Sequence, residues 1–183
     1  MDRRRFIGAA ATTLAAITTG CGHSKSAMVV PREVLGGPGY VAPSDRLNFA
    51  AVGIGGMGHA DLTNFAKEGQ NIVALCDVDY KYAERTFKEY PKAARYKDFR
   101  IMLEQEAKNI DAVIVATPDF MHAPISLMAM RMGKHVYCEK PLTHTVAEAF
   151  EMARVAREMK VATQMGNAGQ AGEGWRVLKE YLM

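Results

Sequence analysis

The chain has 183 residues, of which 49% are hydrophobic and 23% are charged, and its formal net charge is +3. This composition is ordinary for a globular protein, and the length suits one domain with little to spare. Much of the excess charge comes from Arg3, Arg4 and Arg5. Because no basic stripe with interleaved aromatic residues follows them, the sequence gives no indication of a nucleic-acid partner.

Residues 1–21 have the features of an export signal. Three arginines precede Phe6, Ile7 and the run AAATTLAAITTG. The apolar stretch spans about 14 residues, whereas a transmembrane helix needs about 20, so we expect a signal peptide. The stretch RRRFI resembles the twin-arginine signal, which exports folded proteins to the periplasm. The alternative is an ordinary secretory signal in which the three arginines occur by chance.

Cys21 ends the segment ITTGC, which resembles a bacterial lipoprotein cleavage box with Thr18 at the position usually held by Leu. This predicts a lipid anchor at Cys21, and hence a periplasmic or membrane-anchored protein of the cell envelope. In the alternative, cleavage occurs at a nearby small residue and the cysteine has no role. Residues 22–46 are rich in glycine and proline, and we interpret them as a linker.

From Leu47 onward, short apolar segments alternate with amphipathic ones. This alternation predicts a parallel α/β sheet with crossover helices over residues 47–183, for which we expect the doubly wound Rossmann-type strand order 3-2-1-4-5-6. The segment DAVIVAT is rich in β-branched residues and does not alternate, which predicts a strand covered on both faces. The predicted strands are 47–52, 71–76, 94–96, 111–117, 135–138 and 161–165. The first predicted helix ends near residue 67. The others span about 82–88, 99–107, 124–132, 146–159 and 174–183.

The cysteines and methionines in these segments could be taken for ligand-binding residues, but their spacing does not indicate a binding site. Cys76 and Cys138 lie 62 residues apart inside apolar runs, with no CxxC or Cys/His pairing, so we predict buried thiols and no metal site. The methionines recur at helical spacing and are predicted to fill the core. They are Met121, Met128, Met130 and Met132.

The stretch VGIGGMG connects the first predicted strand to the first predicted helix. In that position its glycines form a dinucleotide-binding loop. Gly53 permits the tight turn, Gly55 lets a pyrophosphate approach the backbone, and Gly58 lets the helix pack close to the strand. The N–H groups at the helix start bind phosphate. The predicted cofactor-binding residues here are Gly53, Gly55, Gly56, Met57 and Gly58.

Asp77 ends the second predicted strand, 24 residues after Gly53, where the acidic ribose-binding residue is expected. A carboxylate there accepts hydrogen bonds from the ribose hydroxyls and repels a 2′-phosphate, so the sequence favours NAD over NADP. In the alternative, Asp77 is a capping residue that contacts no ligand. Asp79 follows closely and could share the role.

A second group of candidates follows the fourth and fifth predicted strands. Thr117, Glu139 and Lys140 all fall at carboxyl ends of strands, where open parallel sheets bind ligands. A lysine there can donate to a sugar hydroxyl or a carbonyl. A single lysine is otherwise commonly a solvated surface residue, and the residues alone leave both possibilities open.

The segments VGIGGMG, ALCDVD, VIVATPDFMH and GKHVYCEKPLT, in this order and spacing, resemble the N-terminal domain of the glucose–fructose oxidoreductase, inositol dehydrogenase and rhizopine-catabolism family (Gfo/Idh/MocA). The resemblance runs from about Leu47 to the end of the chain. Glu-Lys-Pro after a buried strand is its most specific part. Some exported members carry a twin-arginine signal and cross the membrane with the cofactor bound, which agrees with the signal proposed above.

The resemblance implies a role for each candidate. Lys140 would be catalytic, near the nicotinamide and the substrate hydroxyls, with Glu139 shaping a turn that is cis at Lys–Pro in relatives. The cofactor-binding residues in this part of the chain would be Thr117, Pro118, His122 and Glu139. In the segment QMGNAGQ, Asn167 would face the substrate. Many relatives have His where this chain has Phe120, so contacts supplied from there are in doubt.

Members of the family carry a second domain that supplies most of the substrate pocket, the oligomer interface and usually a catalytic Asp and His. No such pair is recognisable here, and the last segment, EGWRVLKEYLM, predicts an amphipathic helix with Trp175, Leu178 and Leu182 on one face. We therefore expect a domain truncated before the substrate domain, with homo-oligomers formed by the full-length protein.

Three functions follow from these expectations. The first is the nucleotide-binding domain of an NAD-dependent oxidoreductase that takes a hydride from a sugar or polyol. The second is an NAD-dependent glycoside hydrolase, since some exported relatives oxidise and re-reduce their substrate around an elimination step. The third is a non-catalytic module that binds the dinucleotide only.

Overall fold

A computed structural model describes Gly37 and residues 41–183, apart from the side chains of residues 170 and 171. The predicted export signal, Cys21 and most of the predicted linker lie outside the described residues. The strands are β1 Asn48–Val52, β2 Asn71–Cys76, β3 Ala94–Tyr96, β4 Ala112–Val115, β5 His135–Glu139 and β6 Thr163–Gly166. The α-helices are α1 Met57–Lys67, α2 Glu84–Glu89, α3 Phe99–Gln105, α4 His122–Arg131, α5 Val146–Met159, α6 Ala168–Ala171 and α7 Glu173–Leu182.

The six strands form one sheet in the order β3-β2-β1-β4-β5-β6, and every neighbouring pair is parallel. The predicted Rossmann-type order is therefore confirmed. The direction of winding reverses between β1 and β4, which lie side by side although β2 and β3 separate them in the sequence. Such a switch point opens a crevice at the carboxyl ends of the strands, where ligands bind in this class of fold.

Apolar side chains cover both faces of the sheet. Along β4, Val113 and Val115 join the core cluster under α4, whereas Ala112 and Ile114 join the cluster that includes Leu62 of α1. Because successive residues of a strand point to opposite faces, a strand with two buried faces needs apolar residues at every position. This explains the absence of alternation in the sequence, and the prediction for this strand is confirmed.

The four methionines that were predicted to fill the core lie in it or pack against it. Met130 is fully buried, and Met121, Met128 and Met132 pack partly buried against the same cluster. The thiols of Cys76 and Cys138 are buried, and neither forms a disulfide. Burial raises the pKa of the Cys76 thiol to about 12 and that of Cys138 to about 11, so both stay protonated at neutral pH. No group of side chains in the described part of the chain could hold a metal ion.

The element ends differ from the prediction where the chain turns toward the crevice. β4 ends at Val115, two residues early, and a 3₁₀ turn over Asp119–Met121 leads into α4 at His122 rather than near Pro124. A proline in the first turn of a helix loses no hydrogen bond, because those N–H groups have no partner within the helix. The single turn α6 was not predicted.

The last helix, α7, has exposed apolar residues, as its sequence pattern predicts. Trp175, Leu178 and Leu182 are all exposed. Within residues 41–183, no helix has the length and apolar character needed to cross a membrane.

Candidate functional site

The glycine loop lies between β1 and α1, against the end of β4. Gly53 has φ +81°, and a Cβ there would lie 2.6 Å from the carbonyl oxygen of Ala116. A Cβ at Gly58 would overlap the carbonyl oxygen of Gly53 and would lie 3.0 Å from the Ala116 Cβ. Gly53 is therefore required by its positive φ and by the close approach of the loop to the chain after β4, and Gly58 by the close approach of α1 to both.

A groove with a volume of about 660 Å³ runs across this loop at the switch point. Ligand sites commonly have volumes of this order. The groove brings together most of the predicted cofactor residues, namely Gly53, Gly55, Gly56, Met57, Asp77, Thr117 and Pro118, and Phe120 also lines it. The other predicted cofactor residues, Gly58, His122 and Glu139, are buried and do not line the groove.

Asp77 connects the glycine loop to the end of β2. One oxygen of its buried carboxylate accepts a hydrogen bond from the N–H of Ile54 at 2.9 Å, and the other accepts one from Asp79 at 2.9 Å. Each carboxylate oxygen can accept more than one hydrogen bond, so capacity remains for a ligand hydroxyl. The capping role and the ribose-binding role considered from the sequence are therefore compatible in one side chain.

The loop has the properties that a bound pyrophosphate requires. Helix α1 starts at the N-cap residue Gly56 without a side-chain cap. Among the described residues, the N–H groups of Gly55 and Gly56 have no acceptor. Free N–H groups at the positive end of a helix dipole bind phosphate. The Thr117 hydroxyl in the groove wall is also without a partner among the described residues. These residues fit an NAD molecule.

His122 is almost fully buried and holds two loops together. Its Nε2 lies 2.7 Å from the carbonyl oxygen of Thr117, and its Nδ1 lies 2.6 Å from that of Pro141. A neutral imidazole has one N–H and donates to one of these oxygens at a time. Its position behind the groove wall gives this histidine a positioning contact on the end of β4 and on the turn after β5.

That turn carries Lys140, which is exposed and precedes a cis Lys140–Pro141 bond. It borders a second depression of about 390 Å³, called here the hollow, which Glu139, Asn167 and Trp175 also line. Met57 lines both the groove and the hollow, so the two spaces are neighbours at this residue. The structure thus brings Lys140 and Asn167 together in the hollow, beside the groove.

Two buried carboxyl groups lie behind Lys140. Glu139 accepts a hydrogen bond from the Tyr137 hydroxyl at 3.3 Å and one from the Lys140 N–H at 3.3 Å. On α1, Asp61 is 7% exposed, and one of its oxygens has no partner among the described residues. Burial and the nearby negative charge of Glu139 raise the pKa of Asp61 to about 6. Burial and both carboxylates raise the pKa of Tyr137 to about 12.

Asp61, Tyr137 and Tyr82 were not predicted from the sequence as site residues. Asp61 did carry a signal, because it lies beside Leu62 on the buried face of an amphipathic helix, where an acidic residue is unusual. Tyr82, which lines the groove, gave no comparable signal because it follows a surface turn.

The fold and the groove define a Rossmann-type dinucleotide-binding domain. The family described as "Oxidoreductase family, NAD-binding Rossmann fold" matches residues 47–167. The chain therefore belongs to this family, Gfo/Idh/MocA, and the resemblance noted from its sequence segments is confirmed.

Sequence relatives include a glycosyl hydrolase family 109 protein of Shewanella pealeana, 31% identical over 97% of this chain. The chain spans 42% of the length of that relative. Among solved structures, myo-inositol 2-dehydrogenase from Lactobacillus plantarum is 28% identical, with a TM-score of 0.67 over 75% of this chain and 41% of the other. The WlbA dehydrogenase from Thermus thermophilus, solved with NAD and alpha-ketoglutarate, has the same fold at 22% identity, with a TM-score of 0.68 over 74% of this chain and 46% of the other.

Proposed function

We propose that this domain is the cofactor-binding part of an oxidoreductase and that it binds NAD along the groove. In the adjoining hollow, Lys140 donates a hydrogen bond to a hydroxyl of a sugar or polyol. The observation that carries this proposal is the position of Met57, because this residue lines both the dinucleotide groove and the space beside Lys140, so the two spaces are neighbours. The similarity to a myo-inositol 2-dehydrogenase supports the class of substrate.

Each residue of the candidate site has a role that follows from its chemistry. When bound, NAD would accept the hydride of a carbinol carbon, and the hydroxyl proton would pass to solvent. The Asp77 carboxylate accepts hydrogen bonds from ribose hydroxyls and disfavours a 2′-phosphate, so NAD is preferred to NADP. The exposed Lys140 ammonium donates to the substrate oxygen, and Asn167 offers an amide on the same side. Glu139 holds the turn that presents Lys140.

Tryptophan fluorescence can test whether the chain binds NAD. Trp175 is its only tryptophan, and it lines the hollow. Titration of NADH into the purified chain should quench the Trp175 emission in a saturable way, and an excess of NAD should reverse the quenching. NADPH should bind about tenfold more weakly, and Asp77→Asn should reduce that preference. If neither nicotinamide nucleotide bound at millimolar concentration, the proposal would be wrong.

A second candidate function is NAD-dependent glycoside hydrolysis. It is favoured by the glycosyl hydrolase family 109 relatives, which match 97% of this chain. Both candidates use the same groove and differ in the fate of the electrons. An aryl glycoside that releases its phenol without net NADH formation would favour hydrolysis, whereas NADH formed from a free sugar would favour the oxidoreductase. Nucleotide binding without either turnover would identify a binding module.

We also propose that the protein is exported to the bacterial cell envelope, on the basis of residues 1–21. Arg3→Lys with Arg4→Lys should retain a reporter fusion in the cytoplasm if the twin-arginine route is used. Cys21→Ser should abolish incorporation of a labelled fatty acid if Cys21 is lipidated. A fusion that stays cytoplasmic with the unaltered segment would exclude export.

A further inference from the structure

Tyr82 lies against the glycine loop, although it belongs to the connection between β2 and α2. A Cβ at Gly55 would overlap the Tyr82 ring, and a Cβ at Gly56 would lie 2.9 Å from the Tyr82 hydroxyl oxygen. The side chain lines the groove and is 65% exposed. The absence of a side chain at Gly55 therefore admits the tyrosine ring as well as a ligand.

Backbone contacts hold this tyrosine in place. One oxygen of Asp79 accepts hydrogen bonds from the N–H groups of Lys81 and Tyr82, both at 3.0 Å. The Asp79 N–H donates to Asp77, whose other oxygen accepts from Ile54 in the glycine loop. A continuous series of hydrogen bonds thus links the glycine loop to the backbone that carries Tyr82.

The Tyr82 hydroxyl makes no hydrogen bond to any described residue. It lies beside Gly56, the N-cap of the 11-residue helix α1, next to the two N–H groups that have no acceptor. A phenol hydroxyl is a donor, and a donor placed beside free N–H groups at a helix start adds to an anion site. The three donors lie at the same place on the groove wall.

We propose that Tyr82 is a cofactor-binding residue whose hydroxyl donates a hydrogen bond to the pyrophosphate of the dinucleotide. This inference rests on the proposed binding of NAD at the glycine loop. It predicts that ligands with a pyrophosphate depend on the hydroxyl, whereas adenosine, which has no phosphate, does not.

The test compares Tyr82→Phe with Tyr80→Phe by calorimetric titration of the chain with NAD, ADP-ribose and adenosine. Tyr80 is a matched control, because it lies two residues away in the same connection, packs on Phe87 and does not line the groove. Tyr82→Phe should weaken NAD and ADP-ribose binding about three- to tenfold and leave adenosine unchanged. Tyr80→Phe should bind all three ligands as the wild type does.

Two outcomes would overturn the inference while leaving NAD binding intact. In the first, Tyr82→Phe binds NAD and ADP-ribose as tightly as the wild type. In the second, Tyr82→Ala binds them more tightly, which would mean that the ring obstructs the site. Failure of the wild-type chain to bind NAD would instead reject the proposed function, and this inference with it. Thermal melts of each variant separate a binding defect from misfolding.

Discussion

The two halves of the candidate site are built differently. Around the glycine loop, the groove lies at the carboxyl ends of β1, β2 and β4, and the Asp77 carboxylate connects its parts by accepting hydrogen bonds from two backbone N–H groups. Around Lys140, the hollow is bordered by the turn, by Met57, by residues 166–169 and by α7, whose apolar residues are exposed. The cofactor half is therefore formed within this domain, and the substrate half is open on one side in the described residues.

The largest effect is expected where the glycine loop meets β4. Gly53→Ala should lower the free energy of unfolding by about 3 kcal/mol, because the residue has a positive φ and its new Cβ meets the backbone of Ala116. Gly133→Ala is the matched control, since its φ is +75° with no atom within 4 Å of the new Cβ. It should cost only about 1 kcal/mol. Equal losses in urea unfolding would show that packing at the loop is unimportant.

The buried Asp61 should make stability depend on pH. Its folded-state pKa of about 6 lies above the reference value of 3.8, so the folded state holds the proton more tightly than the unfolded state. Its contribution is present below pH 4 and is lost as pH rises through 6. Asp61→Asn removes this loss, so its stability relative to the wild type should rise by about 2 kcal/mol between pH 4 and pH 7.

Urea unfolding at the two pH values measures this change. Glu104→Gln, at an exposed position of α3, is the control: it retains Asp61, so its stability relative to the wild type should change much less over this pH range. A constant difference between Asp61→Asn and the wild type across this range would contradict the prediction.

Gly166→Ala tests the support beneath Lys140. Its Cβ would overlap the Glu139 carboxylate and lie 2.8 Å from the Tyr137 hydroxyl. We expect a loss of about 2 kcal/mol in the free energy of unfolding, because a buried carboxyl group must move. Gly169→Ala lies in the same region, with no atom within 4 Å of the new Cβ, and should be nearly neutral. A neutral Gly166→Ala would mean that the turn adapts freely and that the hollow is looser still.

The smallest effect is expected at the start of α5, which follows the Lys140 turn. Thr145 accepts a hydrogen bond from the Glu148 N–H at 3.3 Å, and Glu148 accepts one from the Thr145 N–H at 2.9 Å. Thr145→Ala should lower the melting temperature by an amount equivalent to about 1 kcal/mol. The loss should be non-additive with Glu148→Ala, because the two side chains form one capping box. Additive losses would show that they act separately.

Local patterns in the sequence were sufficient for the strands and the glycine loop. Each of these depends on side-chain periodicity, or on glycines within six residues of one another. The contacts of His122 with Thr117 and Pro141 were not predictable in the same way. They join residues up to 19 positions apart, and which atoms meet depends on how β4 and β5 are aligned.

The sequence by itself determined the class of fold, the family and the loop at which a dinucleotide is expected to bind, because apolar periodicity and glycine spacing act over a few residues. Only the tertiary structure decided which side chains surround that loop. Tyr82 reaches Gly55 across 27 positions, and Asp61 lies in the field of Glu139 across 78. Such neighbours arise from the packing of parallel strands, whose carboxyl ends meet at one edge of the sheet wherever they fall in the chain.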